Sequence, residues 1–194
     1  MFGVARSFFT RLKKKLPEHL GGHMGVTHTD ISTLKYLQQK FLINTMVDIG
    51  CGPGGMIKVA NDLKIEAMGV DGDYTIKRDD YRKFSIHDYS SGPWPLNRQF
   101  DLGWSVEFLE HIEEEYLPNV IDTFKKCKVV MCTAAPEDFP GYHHVNCRNE
   151  KYWIEKFDEY GFEIDRDTTN KIRAVSEMER DFIRDTGKVF INVN

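Results

Sequence analysis

The sequence predicts an α/β fold with a mostly parallel sheet, and two observations support this prediction. Short apolar runs, of the length of buried strands, alternate with segments whose apolar residues recur at helical spacing. A glycine-rich turn follows the first strand-like run, as in sheets that bind ligands at the carboxyl ends of their strands. Alternating short strands and helices indicate a parallel sheet that is covered by helices.

Residues 1–44 are predicted to form an N-terminal helical segment that covers the domain as a lid. The opening stretch MFGVARSFFTRLKKKLPEHL is basic and amphipathic, and it lacks the apolar core and cleavage site of a secretory signal. Organelle targeting, contact with a membrane surface and a solvated basic helix remain open for this stretch. After a glycine- and histidine-rich loop, a helix is expected with Thr29 or Asp30 as its N-cap. Its apolar residues at helical spacing are Ile31, Leu34, Leu37 and Phe41.

Residues 45–194 are predicted to form the domain that contains the sheet. The expected strands are residues 45–49, 66–71, 84–86, 100–105, 129–133, 162–165 and 188–194. Further helices are expected at residues 55–63, around 117–124 and around 152–160, the last closed by Gly161. The two late strands suggest an antiparallel edge, which gives a Rossmann-like three-layer sandwich with a mostly parallel seven-stranded sheet. Residues 167–186 are expected to cover the substrate site or to form a dimer contact.

Composition and charge restrict the class of protein. The 194 residues suffice for one domain with a sizeable core, and no apolar run approaches the ~20 residues that span a bilayer. The net charge of −4 argues against a dedicated nucleic-acid binder. The cysteines form no C-x-x-C pair, which favours reduced thiols in a cytoplasmic protein.

The turn MVDIGCGPGGM (residues 46–56) indicates the kind of ligand. Its glycines satisfy G-x-G-x-x-G, the dinucleotide pattern, in which backbone N–H groups bind a pyrophosphate. Pro53 has no N–H to donate, and the carboxylate of Asp48 would repel a pyrophosphate. A sulfonium nucleoside such as S-adenosylmethionine has no phosphate and carries positive charge, so an acid at the strand end is favourable. A tight turn without a ligand is the alternative.

The stretch Asp48-Ile49-Gly50-Cys51-Gly52-Pro53-Gly54 resembles the D-x-G-x-G-x-G signature of class I S-adenosylmethionine-dependent methyltransferases. This resemblance implies S-adenosylmethionine as the cofactor and S-adenosylhomocysteine as the product. The cofactor contacts that it implies in the turn are Asp48, Gly50, Cys51, Gly52 and Gly54.

The resemblance also implies residues that bind the nucleoside. Asp71, followed by Gly72, ends the second strand, where the family places an acid on the ribose hydroxyls. Asp73 is the alternative for this role. Asp88, after the third strand, matches the position that accepts a hydrogen bond from the adenine amino group, and a turn-capping aspartate is its alternative interpretation.

The stretch SVEFLEHI (residues 105–112) resembles the E-x-L-E-H-[IV] run that follows the fourth strand in methyltransferases of small molecules. The resemblance implies that Ser105 and Glu107 form part of the cofactor or substrate wall. For Glu110 the simpler interpretation is charge complementarity with a helix N-terminus.

Histidines are the candidates for catalysis. Methyl transfer to a hydroxyl or an amine needs alignment and a base with a pKa near the working pH, which histidine supplies. The first candidates are His143 and His144, followed by His28, and the alternative is that these histidines hold loops together. No spacing of a metal-binding motif is present, so no metal is expected.

The sequence therefore predicts a methyltransferase that acts on an oxygen or nitrogen of a small-molecule acceptor. A methyltransferase of RNA or protein, which would use the basic N-terminus for docking, is one alternative. A non-catalytic cofactor-binding subunit with the same fold is another. A homodimer is compatible with all three interpretations.

Overall fold

A seven-stranded sheet forms the centre of the protein. The computed structural model describes residues 16–194, so most of the basic amphipathic stretch lies outside the described residues. The strands are β1 (Thr45–Ile49), β2 (Glu66–Asp71), β3 (Phe84–Ile86), β4 (Phe100–Ser105), β5 (Cys127–Cys132), β6 (Phe162–Ile164) and β7 (Lys188–Asn192). The helices are α1 (Ile31–Phe41), α2 (Gly55–Asp62), α3 (Leu117–Phe124), α4 (Glu150–Glu159), α5 (Arg166–Val175) and α6 (Phe182–Thr186).

The strands lie in the order β3-β2-β1-β4-β5-β7-β6, which confirms the predicted fold class. Strands β1 to β5 pair in parallel, whereas β7 is antiparallel to both of its neighbours, β5 and β6. The antiparallel strand is therefore second from the edge, and the short β6 covers its outer side. Strand β5 begins two residues before the predicted start because Cys127 pairs with Phe100, the first residue of β4.

Local signals set the ends of α1 and α4, where the sequence predicts Thr29 or Asp30 as an N-cap and Gly161 as a helix end, but not the Asn149 cap that starts α4 two residues early. Asp30 is the N-cap of α1, and its carboxylate accepts a hydrogen bond from the Thr33 N–H at 2.9 Å. Helix α4 has Asn149 as its N-cap, and Gly161 follows the helix with a φ of 83°.

Two hydrophobic layers cover the sheet on opposite faces. Strand residues alternate between the layers, so that Val47 and Val130 pack with α3 and α4 while Met46 and Met131 pack with α1 and α2. Helices α5 and α6, formed by the segment whose role the sequence left open, join the second layer through Ile172 and Ile183. Among residues 16–194, no helix is long and apolar enough to span a bilayer.

Candidate active site

A cavity of about 460 Å³ opens at the carboxyl edge of the parallel strands. This volume is in the range of small-molecule sites. Its walls come from the turn after β1, the end of β2, the segment after β4 and the loop 139–144. Residues 19–28 close it on one side, and Arg180 and Phe182 lie on its wall next to α6.

The glycine turn exposes backbone atoms, without side chains, to the cavity. Gly50, Gly52 and Gly54 have φ values of 74°, 50° and 90°, which favour glycine. A Cβ at Gly50 would overlap the ring of Phe108, so this position also lacks room for a side chain. Gly50 and Gly52 line the cavity, whereas Gly54 packs against the ring of Phe84.

Asp48 is a buried acid at the end of β1 that lines the cavity. Only 3% of the residue is exposed, and its Oδ2 has no hydrogen-bond partner in the described part of the chain. Burial, with a contribution from the charge of Asp71, raises the pKa of Asp48 to about 8. A cationic ligand in the cavity would stabilise the ionised carboxylate.

The structure separates the two candidates for the ribose acid. Asp71 lines the cavity, and its carboxylate accepts hydrogen bonds from the N–H groups of Gly52 and Asp73, both at 2.8 Å. Burial nevertheless raises the pKa of Asp71. The carboxylate of Asp73 is held by His23 at 2.8 Å and by Thr75. Asp71 is thus the acid that faces the ligand space.

A smaller cavity of about 170 Å³ adjoins the first and contains Asp88. Gly72, His111 and Phe108 border both cavities. The Asp88 carboxylate accepts the Ser90 N–H at 2.9 Å and lies 3.0 Å from Nε2 of His19. Asp88 therefore caps a turn, as its alternative interpretation states, and also faces a space next to the main cavity.

Of two further predicted contacts, Ser105 at the end of β4 does not line the cavity, whereas Cys51 after β1 does. Ser105 is fully buried, and its hydroxyl donates to the Ile49 carbonyl at 3.0 Å, which ties β4 to β1. Cys51 lines the cavity with a buried thiol, and burial raises its pKa, so the thiol stays protonated.

Glu107 lines the cavity in a constrained backbone conformation. Its φ is 53°, in the left-handed region that glycine favours. The Thr133 hydroxyl accepts the Glu107 N–H at 2.8 Å and donates to Glu107 Oε1 at 2.9 Å. Burial raises the pKa of the Glu107 carboxyl group. Thr133 thus fixes the carboxylate at the cavity wall.

The candidate histidines are divided between the two cavities. His28 and His144 line the larger one, and the His28 ring packs edge-on against Phe182. His143 borders the smaller cavity, where its buried Nε2 has no hydrogen-bond partner among residues 16–194. The main cavity therefore offers His144 and His28, but not His143, to a ligand.

Sequence reasoning missed Glu110 and His111 as site residues. Glu110 is fully buried beside His111 and His144, whose rings lie 5.0 Å apart. The run Glu107-x-x-Glu110-His111 was the available signal, but the position of His144 opposite it depends on how two distant loops fold together.

No protein-family model matches the sequence, and no curated protein matches it. Solved structures do resemble it. The methyltransferase domain of bacterial CtHen1 has a TM-score of 0.56 at 15% identity, with 83% of this chain and 96% of that chain covered. The DhpI–SAH complex has a TM-score of 0.55 at 12% identity, with 84% of each chain covered. The plantazolicin methyltransferase BpumL in complex with SAH has a TM-score of 0.52 at 12% identity, with 84% of this chain and 82% of that chain covered.

This chain has the methyltransferase fold. In a sheet of this order, the chain runs outward in one direction from β1 to β3 and in the other from β4 to β5. Ligands of open α/β sheets bind at such a switch point. The cavity of this methyltransferase fold lies there, with Asp48 at the end of β1 on one side and Glu107 after β4 on the other.

Proposed function

We propose that the protein transfers a methyl group from S-adenosylmethionine to an oxygen or nitrogen of a small-molecule acceptor. The observation that carries the proposal is the buried Oδ2 of Asp48, which no described residue satisfies, at the wall of a cavity of ligand size. An unpaired buried carboxylate is unfavourable, so a cationic ligand accounts for its presence. S-adenosylmethionine carries an ammonium and a sulfonium and has no phosphate that Asp48 would repel.

The remaining cofactor contacts fit the same placement. Each oxygen of Asp71 already accepts one backbone N–H and has a second lone pair for a ribose hydroxyl. The smaller cavity with Asp88 continues past Gly72, where the adenine would follow the ribose. Two of the solved structures with this fold are described as complexes with SAH, the product of the proposed cofactor.

The acceptor would enter between Glu107, His144 and the loop that carries Phe139 and Tyr142. Both of these aromatic residues are exposed and line the cavity, so they can pack on an organic acceptor. Held by Asp48 and Asp71, the cofactor would supply an activated methyl group, and its sulfur would keep the electron pair of the broken carbon–sulfur bond as the methyl carbon passes to the acceptor atom. The protein would align the two partners and take the acceptor proton, for which His144 is the candidate because it lines the same cavity as Glu107.

Residues 19–28 would act as part of the lid proposed for residues 1–44. They line the cavity, and His19 occupies the Asp88 carboxylate that an adenine amino group would use. Entry of the cofactor would therefore displace His19. Once closed, the lid would limit the acceptor to a compact molecule.

Calorimetric and thermal-shift titration with S-adenosylhomocysteine tests the proposal. At about 100 times Kd, binding should add about 2.7 kcal/mol of stability. For a domain of this size each kcal/mol should raise Tm by about 2–4 °C. Asp71→Asn should weaken binding by about tenfold or more, because a hydrogen bond to a charged group is lost. NAD and NADP serve as competing ligands.

Asp80→Asn is the matched control, since Asp80 is near Asp71 in the chain and its partner is the exposed Arg82. This variant should bind S-adenosylhomocysteine as the wild type does. Binding of NAD in preference to S-adenosylhomocysteine would contradict the proposal. Binding of neither ligand would favour a subunit that keeps the fold without the chemistry.

A further inference from the structure

Three side chains, two of which line the larger cavity while the third is buried beside them, converge in the geometry of metal ligands. The carboxylate of Glu110 and the ring nitrogens of His111 and His144 include atoms that all lie within 4.8 Å of one another. The three groups come from two loops that follow β4 and β5. The two loops are joined directly, because the N–H groups of Val145 and Asn146 both donate to the Glu110 carbonyl at 3.0 Å.

Glu110 is difficult to explain without a ligand. The residue is fully buried, and both of its carboxylate oxygens have no hydrogen-bond partner among the described residues. Burial, together with the neighbouring Glu107, raises the pKa of Glu110 well above its usual range. Two acidic groups are thus held side by side at a cost that a cation would offset.

The two histidines are oriented as metal ligands usually are. The His143 carbonyl lies 3.3 Å from Nδ1 of His111, and the Phe139 carbonyl lies 2.9 Å from Nδ1 of His144. A carbonyl only accepts, so each Nδ1 carries the proton and each Nε2 keeps its lone pair for a ligand.

The geometry points to a divalent-metal site formed by Glu110, His111 and His144. The carboxyl group of Glu107, one oxygen of which accepts the Thr133 hydroxyl, lies beside this site and adds negative charge there. Two imidazole nitrogens with carboxylate oxygens suit first-row transition metals such as Mn²⁺, Co²⁺ and Zn²⁺. Mg²⁺ and Ca²⁺ prefer oxygen ligands. This proposal reverses the expectation from the sequence, which contains no motif of paired metal ligands.

The site has a chemical consequence that rests on the proposed function. His111, His144 and Glu107 line the same cavity as Asp48, so a cation held there would reach the acceptor. It would lower the pKa of an acceptor hydroxyl bound to it, which replaces direct removal of the proton by His144. The acceptor proposed for this site is therefore a hydroxyl compound whose oxygen can coordinate the metal.

Metal binding is tested without any activity measurement. After dialysis against a chelator, the full chain is titrated with Mn²⁺, Co²⁺, Zn²⁺ and Mg²⁺ by calorimetry, and the visible absorption of Co²⁺ reports its ligands. The expected result is one equivalent of transition metal and at least tenfold weaker binding of Mg²⁺. Glu110→Gln keeps the shape of the side chain and should weaken binding of Mn²⁺ at least 100-fold. His144→Asn, in a surface loop, should change the Co²⁺ spectrum.

Glu115→Gln is the matched control, because it removes an exposed carboxylate five residues away, and it should bind Mn²⁺ as the wild type does. Absence of metal binding in the wild type would overturn the site. Equal binding in wild type, Glu110→Gln and His144→Asn would also overturn it. Titration of the metal-free protein with S-adenosylhomocysteine separates the two proposals: cofactor binding with no metal binding removes the metal site alone.

Discussion

Two carboxyl groups, that of Asp48 in the cavity wall and that of Glu110 beside His111 and His144, are buried with at least one oxygen that accepts no hydrogen bond from residues 16–194. Most buried polar atoms in folded proteins have a partner. Both acids lie at the carboxyl ends of the parallel strands, Asp48 near the end of β1 and Glu110 in the segment after β4. Burial, with a contribution from a neighbouring acid, raises both pKa values, so each group gains when a positive charge arrives. We therefore interpret them as ligand-binding groups.

Because Asp48 has a raised pKa, cofactor binding should be coupled to the release of a proton from its carboxyl group. With a pKa of about 8, its carboxyl group is mostly protonated at pH 7 in the free protein. A cationic ligand lowers this pKa, so binding of S-adenosylmethionine at pH 7 should release close to one proton. Calorimetry in two buffers with different ionisation enthalpies measures this release. Asp48→Asn should abolish the release and weaken binding.

Asp48 also affects stability. Its pKa is raised by folding, so its carboxyl group favours the folded state at low pH. This contribution decreases by up to about 1.4 kcal/mol per pH unit as pH rises from about 4 to 8. Asp48→Asn should remove this slope in denaturant unfolding of the free protein. The wild type and Asp48→Asn should therefore differ in both measurements. If the pH dependence of the unfolding free energy and the proton release were the same in the two proteins, the raised pKa of Asp48 would be wrong.

Elements that depend on local patterns could be predicted from the sequence. The five parallel strands and the N-cap at Asp30 follow from runs of apolar residues and from single capping residues. The position of β7 between β5 and β6 depends on pairing between distant segments, which periodicity does not encode. For the same reason Asp48 and Asp71 could be predicted from their positions at the carboxyl ends of strands, whereas the proximity of Glu110 to His144 could not.

The segment of residues 16–30 is tied to the sheet by a few polar contacts. The Gly25 N–H donates to Nδ1 of His23, so Nε2 of His23 carries the proton that it donates to Asp73 at 2.8 Å. Thr27 accepts the N–H of Gly55, the first residue of α2, at 3.1 Å. This segment has no regular helix of its own before α1 except one short turn at Glu18–Leu20. We expect such an element to open with a low free energy, as the proposed lid would require.

His23→Ala should loosen this segment. Loss of the hydrogen bond to Asp73 should cost about 1–2 kcal/mol, which makes local opening roughly tenfold more frequent. Hydrogen exchange of the amides in residues 19–28 should therefore accelerate, and S-adenosylhomocysteine should slow it in the wild type. His87→Ala is the control, because its ring contacts the Gly92 carbonyl outside the segment. Exchange that is equal in the two variants would argue against the role of His23.

The two ends of the parallel strands differ in function: the carboxyl ends form the ligand cavity, and the amino ends contain contacts that stabilise the sheet. The carboxyl edge carries the cavity and its buried acids, whereas the amino edge carries Asp101, near the start of β4. Its Oδ2 accepts hydrogen bonds from the N–H groups of Asn44 and Thr45 and from the Thr45 hydroxyl, and Oδ1 pairs with Lys128. Asp101 thus joins β4 to the start of β1 and to β5, far along the strands from the ligand space.

Changes at this edge should therefore alter stability without altering binding. Burial raises the pKa of Asp101, but the hydrogen bonds from Lys128, Asn44 and Thr45 outweigh it and lower the pKa to about 2. The ionised carboxylate of Asp101 therefore stabilises the folded state above about pH 4, and this contribution is lost as pH falls from about 4 to 2. In urea unfolding, Asp101→Asn should lower the free energy of unfolding by about 1–2 kcal/mol at pH 7 and by less near pH 2.

Asp122→Asn is the control, because it breaks only the surface pair with Lys126, and it should lower the free energy of unfolding by less than about 0.5 kcal/mol. A large loss of S-adenosylhomocysteine binding in Asp101→Asn would contradict this separation of edges.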